Sequence, residues 1–251
     1  NNNAFEIVKA QELMRGYAAR YLQQEFEIEE PEAEYRAPLM NPATGAVSKT
    51  FDLGGKLDVP SRVAFLEHKS TSESIAPDSD YWTLLNIDGQ ISGYFYGSEF
   101  LGYDVNKAIY DVIHKIALIP FKATPMDKRR YTKKDNKLDA RQHEEDETPG
   151  QYAVRCKEAI EENPDKYFAR IDVHRTDEDM IEYMRDVWAV SKEILYRRQH
   201  NIWPRNPKQC LNYGRCSYLD VCGKTANIND EHLFVTAERK HMELSLETNN
   251  S

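Results

Sequence analysis

"GGKLDVPSRVAFLEHKST", residues 54–71, is the stretch that decides how the chain folds. Its apolar, β-branched centre predicts strands, yet it carries Asp58, Glu67 and Lys69. An unpaired charge taken out of water is costly or titrates to neutrality, so these groups either lie on a wet face or meet something that compensates them. A divalent metal ion would do so. Asp58 precedes Glu67 by nine residues, with a Pro60–Ser61 turn between. If the flanking strands pair, both carboxylates approach one end of a sheet, and Glu67 and Lys69, two apart, share a face. Two carboxylates suit magnesium or manganese, with a backbone carbonyl and waters completing the octahedron. A lysine beside them can orient or deprotonate an attacking water and offset charge in the transition state. This pattern points to metal-assisted hydrolysis of a phosphodiester.

Upstream, "FEIVKAQELMRGYAARYLQQE" (5–25) repeats apolar residues at helical spacing and predicts one amphipathic helix. "AEYRAPLM" and "SKTFDLGGKLDVP" read as a hairpin around "NPATGA", and "RVAFLEHKS" as a third strand. Downstream, residues 81–101 predict a helix weakened by Gly89 and Gly93. On it, Gln90 and Tyr94 are four apart and so lie on one face, suited to a phosphate or a base edge. "VNKAIYDVIHK" predicts a fourth strand, "PGQYAVRCKEAIEENP" a short helix and "YFARIDVHR" a strand. A long helix capped by Thr176 then runs to about His200. The order of elements predicts an α/β sandwich.

Composition is that of a globular chain: 251 residues, 40% hydrophobic and 30% charged. No apolar run approaches the roughly 20 residues of a membrane helix, and no signal peptide opens the sequence, so a cytoplasmic protein with no membrane partner is expected. The net charge of −9 argues against a general nucleic-acid binder, but the charge is uneven. Between 122 and 137, seven Lys and Arg residues (among them Arg129, Arg130, Lys133 and Lys134) face only Asp127 and Asp135, and an acidic run follows. This segment is either a solvated loop or a basic flap over a phosphate backbone. Three of four cysteines, Cys210, Cys216 and Cys222, are separated by five residues each. That is not the spacing of a zinc knuckle; three thiolates suit a 4Fe–4S cluster lacking one protein ligand, or plain burial. Cys156 is a remote candidate for the fourth position.

Each piece is weak alone; order and spacing together form the signal. "GKLDV", "FLEHK" and "QISGY" resemble the motifs of the PD-(D/E)XK nucleases, in the RecB-like branch with a Q-x-x-x-Y helix. "WPRNPKQCLNYGRCSYLDVC" is similar to the part of that branch stapled by an iron–sulfur cluster, phage-encoded exonuclease-like members above all. The resemblance spans roughly residues 5–222 and implies a restriction-endonuclease-like mixed sheet flanked by helices, with a helical, cysteine-containing C-terminal segment. It implies that Asp58, Glu67 and the backbone carbonyl of His68 bind Mg or Mn, that Lys69 is the catalytic lysine, and that Gln90 and Tyr94 position DNA. The family also carries an upstream histidine ligand and first cysteine. No histidine precedes His68 and no cysteine precedes Cys156 here, so an N-terminal piece is expected to lie outside this chain, with a diverged protein as the alternative.

The expected organisation is a nuclease core over 1–117, a charged flexible loop over 118–148, the remainder of the nuclease domain over 149–224 and a polar tail over 225–251. The expected function is a Mg- or Mn-dependent DNA exonuclease in recombination, repair or phage DNA processing, acting on ends or single strands beside a recombination or helicase partner. A catalytically weakened DNA-end-binding or partner-binding module is the competing class. A structural iron–sulfur protein would leave Asp58, Glu67 and Lys69 unexplained.

Overall fold

The computed structural model describes residues 2–24, 26, 28–134, 137–212 and 214–237. Residues 238–251 of the expected polar tail lie outside the described residues. The protein is mixed α/β, with a mixed sheet flanked by helices. It divides into two compact units, one of residues 1–35 and 55–177 and one of residues 36–54 and 178–251.

The first unit holds the sheet. Helix α1 (Asn2–Tyr21) precedes a hairpin of β1 (Ala33–Met40) and β2 (Val47–Leu57), whose outer part belongs to the second unit. Four further strands form a sheet in the order β3 (Val59–Pro60), β4 (Ala64–Thr71), β5 (Lys107–His114), β6 (Phe168–Val173). β3 runs antiparallel to β4 through Val59–Leu66 and Pro60–Phe65, so the Pro-Ser turn brings the chain back on itself. β4 and β5 are parallel and β6 returns antiparallel. Parallel neighbours need a crossover, and here it is helical.

That crossover corrects the single helix expected over 81–101. It is split into α2 (Asp80–Thr83), a 3₁₀ turn over Leu84–Ile87, and α3 (Gly89–Phe100). Asp88 causes the break: its side chain accepts the backbone N–H groups of Gln90 and Ile91, capping a new helix at Gly89. α3 lies on the face of β4 that carries Phe65, whose ring meets Tyr94 and Phe95 edge-on at 5.7 and 5.2 Å. On the opposite face, α1 and α4 (Pro149–Glu162) contribute Leu13, Tyr21, Tyr152, Cys156 and Ile160 to a core completed by Ile116, Tyr167 and Phe168. α4 starts where Thr148 and Gln151 form a reciprocal capping box ahead of Pro149.

The second unit contains the outer hairpin, closed by an Asn41–Gly45 turn with Gly45 at φ 70°, and α5 (Asp177–His200) apart from its first residue. Among the described residues beyond α5, the helical elements are a 3₁₀ turn at Pro207–Gln209 and the four-residue α6 (Leu219–Cys222).

Tyr35 is buried between two glycines. A Cβ at Gly97 would come 2.4 Å from its ring, and one at Gly55 2.5 Å from its hydroxyl. An alanine inside a helix normally gains about 1 kcal/mol over glycine, but overpacking of this kind costs about 1–3 kcal/mol. Gly97→Ala should therefore destabilise the protein in urea, and should cease to do so in a Tyr35→Ala background. A stabilising Gly97→Ala would show that the ring moves aside freely.

Candidate active site

Three sequence-predicted residues converge where β3 meets β4. The Asp58 carboxylate accepts the backbone N–H of His68 at 3.2 Å, which ties the end of the hairpin to the middle of β4. Glu67 is only 1% exposed, because its strand position faces the layer beneath α3. One of its oxygens, Oε1, pairs with the Lys69 ammonium on the same face. The other, Oε2, is buried and accepts no hydrogen bond. Burial pushes the Glu67 carboxyl up to about 7; Lys69 opposes the rise and the Asp58 carboxylate adds to it.

Lys69 extends the chain of contacts to α3. Its ammonium donates to Gln90 Oε1 at 2.9 Å, and Gln90 Nε2 donates to the Tyr94 hydroxyl at 2.7 Å. Both residues of the Q-x-x-x-Y pattern are thus joined to the lysine. Gln90 is exposed, whereas Tyr94 is buried, and burial together with the Glu67 charge pushes its hydroxyl up to about 12.

An acceptor without a donor, beside a second carboxylate, is a place for a cation. Asp58, Glu67 and the His68 carbonyl fit an ion of the magnesium type, which takes one or two protein carboxylates and retains several waters. Among the described residues, no three His, Cys, Asp or Glu side chains are grouped to hold a metal ion.

The reverse face of β4 carries a network that the sequence reading missed. His68, Asp111 and Arg170 occupy one cross-strand row. Asp111 is 1% exposed, and its Oδ2 receives His68 Nδ1 at 3.1 Å, Arg170 Nη2 at 3.0 Å and the Tyr17 hydroxyl. Burial works against the charged form of Asp111, but these three donors outweigh it and hold the carboxyl below its ordinary range. The His68 side chain anchors the residue whose peptide lies in the candidate site. A carboxylate in the apolar strand "AIYDVIH" was the available signal, the same kind that drew attention to Glu67.

The basic segment is an irregular excursion of the first unit, crossed by its own hydrogen bonds. Arg129 donates to the carbonyls of Thr124 and Glu144 at 3.0 and 2.7 Å, so it holds the loop together. Asp146 pairs with Lys122, and Glu147 with Arg155. Arg130, Lys133 and Lys134 remain exposed.

The cysteines are all free thiols. Cys156 lies in the first unit's core, where burial pushes its thiol up. Cys210, Cys216 and Cys222 lie in the second unit, with the Cys216 N–H donating to the Cys210 carbonyl at 2.9 Å.

No protein-family model, curated protein or solved structure matches the chain. No helix among the described residues is long and apolar enough to cross a membrane.

The raised Glu67 value has a measurable consequence in the metal-free protein. A carboxyl whose folded value exceeds its unfolded value supports folding at low pH, and that support is lost as pH rises from about 4.5 through about 7. Glu67→Gln stays neutral and escapes the loss. Urea denaturation at pH 8 should find the variant about 3 kcal/mol more stable than wild type, at about 1.4 kcal/mol per pKa unit. At pH 5 the gap should shrink to about 1 kcal/mol. A gap independent of pH would contradict the assignment.

Proposed function

We propose that the protein is a metal-dependent DNA exonuclease with the restriction-endonuclease-like core of the PD-(D/E)XK nucleases, RecB-like branch. The observation that carries this reading is the buried Glu67 carboxylate, one oxygen paired with Lys69 and the other without a donor, beside Asp58. Such an arrangement is poor for stability and suited to charge chemistry.

In this reading Asp58, Glu67 and the His68 carbonyl would hold Mg or Mn, which when bound supplies Lewis-acid activation of water and phosphate. Asp58 does more than offer a carboxylate: by accepting the His68 N–H it fixes the peptide of a second ligand residue. The exposed edge of the Lys69 ammonium can orient the attacking water and stabilise charge developing on the phosphate oxygens. Gln90 keeps that ammonium from collapsing wholly onto Glu67, since it draws on the same Nζ from the opposite element. Tyr94 in turn holds the Gln90 amide, so its role is to position Gln90, with Gln90 alone available to DNA. Arg130, Lys133 and Lys134 would meet phosphates, and Arg129 would support the loop that presents them. Cys210, Cys216 and Cys222 do not form a metal-holding group among the described residues, and no step passes through an iron–sulfur cluster.

Degradation of end-labelled linear DNA with manganese tests the reading. Wild type should release nucleotides from ends, and Asp58→Asn and Glu67→Gln should each abolish release. Lys69→Ala should lose about a hundredfold or more in turnover, the usual yield of a proton-transfer or charge-stabilising group, with little change in substrate binding. Wild-type rates in either carboxylate variant would overturn the assignment.

A further inference from the structure

A cleft of about 520 Å³ opens at the carboxyl ends of the parallel strands β4 and β5, where nothing in the proposed mechanism reaches. Its volume lies in the range of small-molecule sites. His114, Ser72, Ser74 and Lys166 supply polar groups, and Ile75 and Pro77 part of an apolar wall. Crevices beyond the carboxyl ends of parallel strands are the usual ligand positions in open α/β sheets.

Three features give this cleft a ligand class. The first is charge. Asp165, which also lines it, is engaged by Arg20 at 2.6 Å, while Lys166 has no carboxylate partner among the described residues. Lys166 instead lies over the Tyr167 ring at 5.6 Å. With Asp165 matched by Arg20, the Lys166 ammonium is the charge of the cleft left for an anion to meet. The second is position. Thr71 pairs with His114 two residues beyond the pairing of Lys69 with Val112, and strand alternation puts His114 on the face that carries Lys69. Two residues along a strand cover about 7 Å, so the row of His114 lies that far along the sheet from the row of Lys69 and about twice as far from that of Glu67. The third is rigidity. Trp82 Nε1 donates to the carbonyls of Ile75 and Ala76 at 3.1 and 2.9 Å, and Ser79 Oγ donates to the Ser74 carbonyl at 2.8 Å. Trp82 also meets Tyr110, the partner of Glu67 in register, edge-on at 6.5 Å. One aromatic anchor thus fixes both the wall of the cleft and the row that holds Glu67.

We propose that this cleft is a nucleotide subsite: Lys166, His114 and the two serines take a phosphate, and the apolar wall takes the attached nucleoside. Its occupant is either the terminal nucleotide of a DNA strand or the mononucleotide released from it, an identification that rests on the nuclease reading. The subsite would give end selectivity to a site whose carboxylates and lysine read only the scissile phosphate.

Calorimetry on metal-free Glu67→Gln protein separates the subsite from catalysis. Thymidine 5′-monophosphate should bind at least about tenfold more tightly than thymidine or inorganic phosphate. Lys166→Ala, an exposed substitution, should remove about tenfold, and Ala76→Trp, which fills the cleft, should abolish binding. A 5′-phosphorylated oligonucleotide that binds more tightly than its 5′-hydroxyl counterpart, with the preference lost in Lys166→Ala, identifies the strand end as the occupant. Equal binding of the two oligonucleotides beside tight mononucleotide binding identifies the released product. Mononucleotide binding by a protein that fails to cut DNA would sustain the subsite and sink the nuclease reading. DNA cleavage with no mononucleotide binding and an indifferent Lys166→Ala would overturn the subsite alone.

Discussion

The buried Glu67 carboxylate is the constraint around which the first unit is arranged. A carboxyl group at 1% exposure next to a second carboxylate is an expensive thing to keep. Lys69 compensates one oxygen and leaves the other without a donor. The hairpin must end at Asp58, β4 must carry Glu67 and Lys69 in alternation, and α3 must present Gln90 over them. Displacing any of the three would leave a buried charge less well matched.

β4 does this work on both faces. On one, Glu67 and Lys69 lie beneath α3; on the other, His68 enters a network with Asp111, Arg170 and Tyr17 beneath α1. The His68 peptide sits between them, with its N–H on Asp58 and its side chain on Asp111. Because Asp111 is almost fully buried and held in its charged form by three donors, it fixes His68 more firmly than packing alone would. The network on the far face is thereby part of the geometry of the near one.

Much of this arrangement was legible in the sequence, for local reasons. Period-two alternation in "AEYRAPLM", the apolar centre of "RVAFLEHKS", and the Pro-Ser break between Asp58 and Glu67 are enough to place the strands and bring the two carboxylates to one end of the sheet. The helix over 81–101 was misread as continuous because its apolar pattern continues through Asp88, whereas the side chain of that residue claims two backbone N–H groups and restarts the helix. The Asp111 network could not be read at all from spacing. Tyr17 and Arg170 lie 94 and 59 residues from Asp111, and only the sheet register and the seat of α1 bring them together. Arg129 was grouped with the basic segment because its charge is local information; the two carbonyls it holds are not.

The central claim is that Asp58 and Glu67 form the seat of a divalent cation. Titration with manganese, followed by electron paramagnetic resonance of the free ion, measures this without DNA and without turnover. Wild type should remove one equivalent of manganese from solution per chain, and Asp58→Asn and Glu67→Gln, each folded by circular dichroism, should remove none at the same concentrations. Equal uptake by wild type and both variants would place the ion elsewhere and leave Glu67 as a buried acid with no metal to hold.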